Sequence, residues 1–153
     1  MKKTLILILT LSFAFSGTMY MAYDFDESEN VALGYNHTFK TWTCEETGKP
    51  CWILAGGVNY DVVADGPGFA SVYALPMKFV ADNVGVWATL GFATVTDDGG
   101  ADGLDGGLVY GLGVHYYLNE NLGLGLGMVN NDWELGMFED TLERMNLNLT
   151  YTF

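Results

Sequence analysis

The sequence predicts an all-β chain: an eight-stranded antiparallel up-and-down transmembrane β-barrel preceded by a cleavable signal peptide. Three observations lead there. Apolar residues recur at every second position through eight stretches, the period of a strand with one greasy side. Lys2 and Lys3 stand before an apolar run from Leu5 to Phe15, the layout of an export signal. Past that run no apolar stretch approaches the roughly 20 residues of a membrane helix, which leaves an exported chain a closed barrel or a soluble sandwich.

Ala14-Phe15-Ser16 offers small residues for a cut before Gly17, giving a signal peptide over 1–16 and one barrel domain over 17–153. A cut after Ala22 would place the bulky Tyr20 at the wrong subsite and would leave seven strands. After removal of 1–16, Lys40, Lys49, Lys78 and Arg144 face 19 acids, a net charge of −15. Nucleic acid is excluded as a partner for such a surface, since phosphate binding needs Lys and Arg.

The first strand alternates Met19, Met21, Tyr23 and Phe25 with Thr18, Tyr20, Ala22 and Asp24. After a short acidic loop, the second sets Val31, Leu33, Tyr35, His37 and Phe39 outward, with Ala32, Gly34, Asn36, Thr38 and Lys40 inward. Cys44 and Cys51 flank the next turn; in an exported chain this close pair reads as a disulfide. The third strand carries Trp52, Leu54, Gly56, Val58 and Tyr60 opposite Ile53, Ala55, Gly57, Asn59 and Asp61.

Asp65-Gly66-Pro67-Gly68 breaks the chain. The fourth strand is read with Phe69, Ser71, Tyr73, Leu75, Met77 and Phe79 outward and Ala70, Val72, Ala74, Pro76 and Lys78 inward. Val84 to Ala93 forms the fifth, with Trp87 inside, and a Gly/Asp loop runs from Thr96 to Asp105. Leu108 to Leu118 is the sixth, with His115 and Tyr117 inside. Leu122 to Met128 alternates Leu with Gly as the seventh, followed by an acidic loop to about Leu142.

The eighth strand is the most regular: Met145, Leu147, Leu149, Tyr151 and Phe153 share one face, and Asn146, Asn148, Thr150 and Thr152 the other. Short turns alternate with longer acidic links, as periplasmic turns and outer loops do in such barrels. With both termini on the periplasmic side, outward aromatics collect at two depths. Phe39, Trp52, Phe79, Tyr116, Tyr151 and Phe153 lie near the periplasmic edge; Tyr23, Phe25, Tyr60, Phe69, Phe92 and Tyr110 lie near the outer edge. Aromatic girdles at both interfaces mark lipid-facing barrels.

The closing Tyr151-Thr152-Phe153 behind alternating apolar positions looks like the C-terminal signature of bacterial outer-membrane barrels, which implies delivery to the barrel-assembly machinery. Strands four to seven, with Pro76 two residues before Lys78 and a Gly-alternating Leu108 to Val114, resemble the small OmpX, Ail and opacity-type barrel family. That resemblance implies a Gram-negative outer-membrane location, contact with membrane lipid and lipopolysaccharide, and a role in surface interaction, adhesion or envelope integrity.

An eight-stranded barrel is just wide enough for side chains to fill. Trp42, Trp87, Tyr20 and Tyr117 are the expected fillers, and Asp24, Asp61, Arg144, Lys40, Lys78 and His115 the lumen charge network. Buried charges need partners, and Asp24 across the closing seam, with Asp61 at the same level, suits Arg144. Lys40, Lys78 and His115 would gather at the periplasmic level.

No catalytic constellation emerges: His37 and His115 are the only histidines, and neither has a Ser beside it in sequence. The outer loops hold 13 of the 19 acids, and their plain reading is a solvated face. Asp97, Asp98, Asp102 and Asp105 could hold Ca²⁺ with Gly carbonyls, although the stretch lacks the closing Glu of an EF-hand. Otherwise no cofactor is implied. The reading is a non-enzymatic barrel presenting acidic loops to an extracellular ligand. The loops are short and lack a long hydrophobic or basic tip, which weakens adhesion. A narrow solute channel is the alternative.

Overall fold

In a computed structural model the described residues are 17–25, 29–63, 67–97 and 103–153. The expected signal segment 1–16 lies outside them, as do Asp26, Glu27, Asp65, Asp98 and Asp102 among the acids of the expected outer loops.

Eight strands follow in order: β1 (Thr18–Asp24), β2 (Val31–Thr43), β3 (Pro50–Val63), β4 (Gly68–Ala81), β5 (Val84–Asp97), β6 (Leu104–Tyr117), β7 (Leu122–Leu135) and β8 (Phe138–Thr152). Each pairs antiparallel with its sequence neighbours, and the ring closes where β1 meets β8 from Thr18↔Thr152 to Asp24↔Asn146. Closure removes every free edge, so each backbone N–H and C=O has a ladder partner available without water. Phe153 N–H donates to Gly17 O at 3.1 Å beyond the seam, tying the last residue to the first described one.

Outward and inward faces follow the pairing, because paired residues share a side. Met21, Val58, Val72, Leu90, Leu112, Leu126, Leu147 and Leu149 present aliphatic side chains to the exterior. Asn36, Asn59, Ser71, Asn146, Asn148 and Thr150 look inward, where they line the lumen.

Three departures from the sequence reading have physical reasons. The faces of β4 are inverted: Phe69, Ser71, Tyr73, Leu75 and Met77 point inward, while Val72, Ala74, Pro76 and Lys78 point outward. Both of its faces are apolar, so period alone did not fix which was which. Phe69 and Phe79 therefore leave the expected girdles; Phe69 is 1% exposed, and Phe79 lines the lumen.

The second departure is a β-bulge. Thr38 pairs with Ala55 but Lys40 pairs with Leu54, so Phe39 is an extra residue opposite no partner. A bulge shifts the alternation by one. Lys40 and Trp42, expected inside, consequently face outward, and Trp42 pairs with Trp52.

Third, the expected acidic loop after Met128 is a long β-hairpin. β7 and β8 stay paired to Leu135↔Phe138, and Gly136 (φ 64°) opens the two-residue turn, a position where glycine meets no Cβ penalty. Its tip exposes two apolar residues, Met137 and Phe138, at 97% and 75%.

Candidate functional site: the lumen and its outer wall

At the end away from the termini, Arg144 occupies the centre of a buried cluster. Its Nη1 donates to Asp61 Oδ2 at 2.8 Å and to Asp24 Oδ2 at 3.4 Å. Asp61 Oδ2 also accepts the Phe69 backbone N–H at 2.9 Å, and the Phe69 ring lies 5.1 Å from the guanidinium carbon. Arg144 thus bridges β1, β3 and β8 from inside, an ion triad shared by both sides of the closing seam.

Above and beside this triad sits an apolar plug that the sequence did not announce. Phe69, Tyr73, Ala93 and Val109 form its buried core, with Val95, Val129, Trp133 and Leu142 packed against it. One level down, Tyr20 Oη donates to Asn59 Oδ1 at 3.0 Å and Tyr73 Oη to Asn36 Oδ1 at 2.9 Å, with the two hydroxyls 2.7 Å apart. Four strands are cross-linked by that network. Its partners could have been found only with the correct phase of β4.

The lumen holds a cavity of about 940 Å³ whose lining runs from the turns at the termini end past Tyr20 and Tyr73 to Asp24, Asn131 and Arg144. Trp87 and Tyr117 line it rather than fill it. A Cβ on Gly127 would fall 2.3 Å from the Trp87 ring, one on Gly34 2.1 Å from Tyr20, and one on Gly123 2.2 Å from His115 Nε2. Glycine provides the recess in each case. Ile53, Leu75, Met77, Phe79 and Trp87 make one side of the cavity apolar; Thr18, Asn36, Thr38, Asn148 and Thr150 make the other polar. Its lining reaches Asp82, Asn119 and Glu120, exposed turn residues at the end where the termini lie.

His115 is inside as expected, with Nε2 3.1 Å from Thr150 Oγ1 and its ring 4.4 Å from that of Tyr117. The two lysines expected beside it are not. Lys40 Nζ stands 4.7 Å from the centre of the Trp42 ring and Lys78 Nζ 5.4 Å from that of Trp52, all on the exterior. His37 is exterior too, edge-on to Phe39 at 5.3 Å.

Cys44 and Cys51 are joined by a disulfide, Cα atoms 5.4 Å apart, at the base of a turn that carries Gly48 at φ 67°. From that turn Lys49 Nζ reaches Asp82 Oδ2 at 2.5 Å, linking it to the β4–β5 turn. Of the four aspartates considered for Ca²⁺, Asp98 and Asp102 lie outside the described residues; Asp97 ends β5 and Asp105 pairs across from Glu134. Met145, Leu147, Leu149 and Tyr151 are all exposed on the outer face of β8, and Phe153 follows its last residue.

Exterior aromatics still gather in two sets once Phe69 and Phe79 are removed. Phe39, Trp42, Trp52, Tyr116 and Tyr151 are exposed toward the termini end, and Tyr23, Phe25, Tyr60, Phe92 and Tyr110 toward the other. Aliphatic side chains occupy the band between. With this wall and closed ring in view, comparison with solved structures is decisive for the architecture. Ail from Yersinia pestis in a phospholipid bilayer nanodisc superposes with a TM-score of 0.54 at 16% identity, covering 91% of this chain and 99% of that one.

The fold is that of small eight-stranded outer-membrane barrels. The crystal structure of Ail from the same organism gives 0.50 at 14% identity over 90% and 94% of the two chains. The outer membrane enzyme PagL gives 0.52 at 15% identity over 88% and 97%. No protein-family model matches the chain, and no curated protein matches it.

Proposed function

We propose that this chain is a non-enzymatic integral barrel of a Gram-negative outer membrane, presenting an acidic surface outside for surface interaction or envelope integrity. One observation carries the reading: an aliphatic band bounded by two aromatic sets wraps a lumen that the Arg144 triad and the Phe69 cluster occupy at one end. A wall of that composition suits lipid and no aqueous compartment. The termini and the turns at 82–83 and 118–121 then face the periplasm, and the β7–β8 hairpin stands outside.

Likeness to Ail and to PagL supports the membrane reading without choosing between a binder and an enzyme. Against catalysis, His115 is committed to Thr150 inside the lumen, and His37 lies beside Phe39 on the exterior. Membrane fractionation, protease treatment of intact cells and heat-dependent electrophoretic mobility test the proposal together. A fraction soluble without detergent would defeat it.

The 940 Å³ cavity favours a second reading, a narrow channel for small solutes. For solute to pass, the Phe69 plug must leave. Planar-bilayer recordings separate the two readings: a flat trace supports the sealed barrel, and discrete reproducible openings support the channel.

A further inference from the structure

We infer that the outer wall at the termini end carries a binding site for the phosphate of an anionic glycerophospholipid, built from Lys40, Lys78, Trp42 and Trp52. The inference rests on the membrane reading proposed above and goes beyond it, from lipid contact in general to one chemical class of head group.

Charge accounting singles out the two lysines. The sequence has four cations after residue 16, in a chain of 19 acids. Arg144 is consumed by Asp24 and Asp61, and Lys49 by Asp82. Lys40 and Lys78 come from different strands, yet the fold gathers them on one patch. Trp42 pairs with Trp52 and Trp52 with Lys78 in a single cross-strand row; Lys40, Leu54 and Pro76 make the adjacent row. Among the described residues neither ammonium meets a carboxylate.

Placement of Lys40 there requires a dedicated device. Regular alternation after Thr38 would send Lys40 into the lumen. The extra residue at Phe39 turns it outward instead, a recurrent use of bulges. A cation on a lipid-facing wall is unfavourable in the hydrocarbon and tolerable only near the interface. Both lysines meet that condition, being close to the Cys44–Cys51 turn and the 82–83 turn respectively.

Each ammonium lies over an indole face within the range of a cation–π contact. The ring orients the side chain and leaves N–H donors for an oxygen acceptor. Indoles themselves prefer the head-group level. Two fixed, unpaired cations at that depth match the phosphate that every glycerophospholipid carries there, and an anionic lipid adds net charge that a zwitterionic one lacks. Lipopolysaccharide is disfavoured because the patch is at the termini end, the periplasmic leaflet under the proposed orientation.

The test uses the barrel with Trp87→Phe and Trp133→Phe, which leaves Trp42 and Trp52 as its only tryptophans. It is reconstituted in phosphatidylcholine nanodiscs containing a small fraction of phosphatidylglycerol or phosphatidylcholine with brominated chains. Brominated phosphatidylglycerol should reach half-maximal quenching at a fraction lower by about fivefold or more, the gain expected from one lysine near an anionic head group. Adding Lys40→Gln and Lys78→Gln should bring the two curves together; should that variant not fold, each single substitution should close part of the gap. Equal quenching by both lipids in the parent barrel would overturn the phosphate site while leaving the membrane reading intact. Quenching by neither would overturn both.

Discussion

Arg144 Nη1 lies 2.8 Å from Asp61 Oδ2, and that same oxygen accepts the Phe69 backbone N–H, so one carboxylate holds both the lumen cation and the start of β4. Removing one member of a buried ion cluster leaves the others uncompensated, at a cost of about 3–5 kcal/mol. Arg144→Met should therefore lower stability by about that amount, read as a shift in the urea midpoint of heat-dependent mobility in detergent. Combining it with Asp24→Asn and Asp61→Asn should restore most of the loss. A single Arg144→Met variant as resistant as the parent would show that the triad does not secure the seam.

Trp87 and Gly127 are coupled through space. The nearest atoms to an added Cβ at Gly127 belong to the Trp87 ring, at 2.3 and 2.5 Å, with Leu112 O at 3.1 Å. Gly127→Ala should push the indole off the wall and destabilise by about 1–3 kcal/mol, the usual range for overpacking. In a Trp87→Ala background the same change should cost much less. The double-mutant cycle, measured by denaturant unfolding, should yield a coupling of about 0.5–3 kcal/mol. Additive losses would mean that the ring does not rest on the glycine.

The strand number, the pairing order and the phase of six strands were legible because the apolar exterior and the polar lumen impose opposite demands on alternate residues. Where those demands weaken, the sequence becomes ambiguous. In β4, Val72, Ala74 and Pro76 are as apolar as Tyr73, Leu75 and Met77, and large rings were assigned to lipid although glycine recesses accommodate them inside. Lys40 was misplaced because a bulge at Phe39 leaves no mark in periodicity. In the outer half of the β7–β8 hairpin the pattern changes sign. Val129, Asn131 and Leu142 turn inward while Asn130 and Glu143 turn outward, as suits a wall whose outer surface faces water. Read as a membrane strand, that stretch looks like a loop. The Arg144 triad was within reach since its members stand on regularly alternating strands; the Tyr20–Tyr73 network was not.

The disulfide closes a turn of sequence separation 7 at the end of two strands that already pair. Loop-closure entropy for a ring of that size corresponds to about 2.5 kcal/mol. Cys44→Ser with Cys51→Ser should lower stability by up to that value, read from the denaturant midpoint, and a reductant should lower the parent equally while leaving the variant unmoved. Barrel closure should survive, because the β1–β8 seam and the Arg144 triad lie away from this turn. Loss of heat-dependent mobility in the double variant would show that the turn is needed for assembly.

The β7–β8 hairpin tip offers a direct reading of orientation. Met137 and Phe138 are almost fully solvent-facing, beside Glu134, Glu139 and Asp140 in the same hairpin. Chymotrypsin added to intact cells should cut after Phe138, since an exposed loop tip is the preferred site of nicking and an aromatic residue is what that protease selects. Phe138→Ser should abolish the fragment pair without changing stability by more than about 0.5 kcal/mol, the usual range for a surface substitution. Cleavage only after the outer membrane is permeabilised would reverse the assignment of sides. The Lys40–Lys78 patch would then lie in the leaflet that faces the exterior.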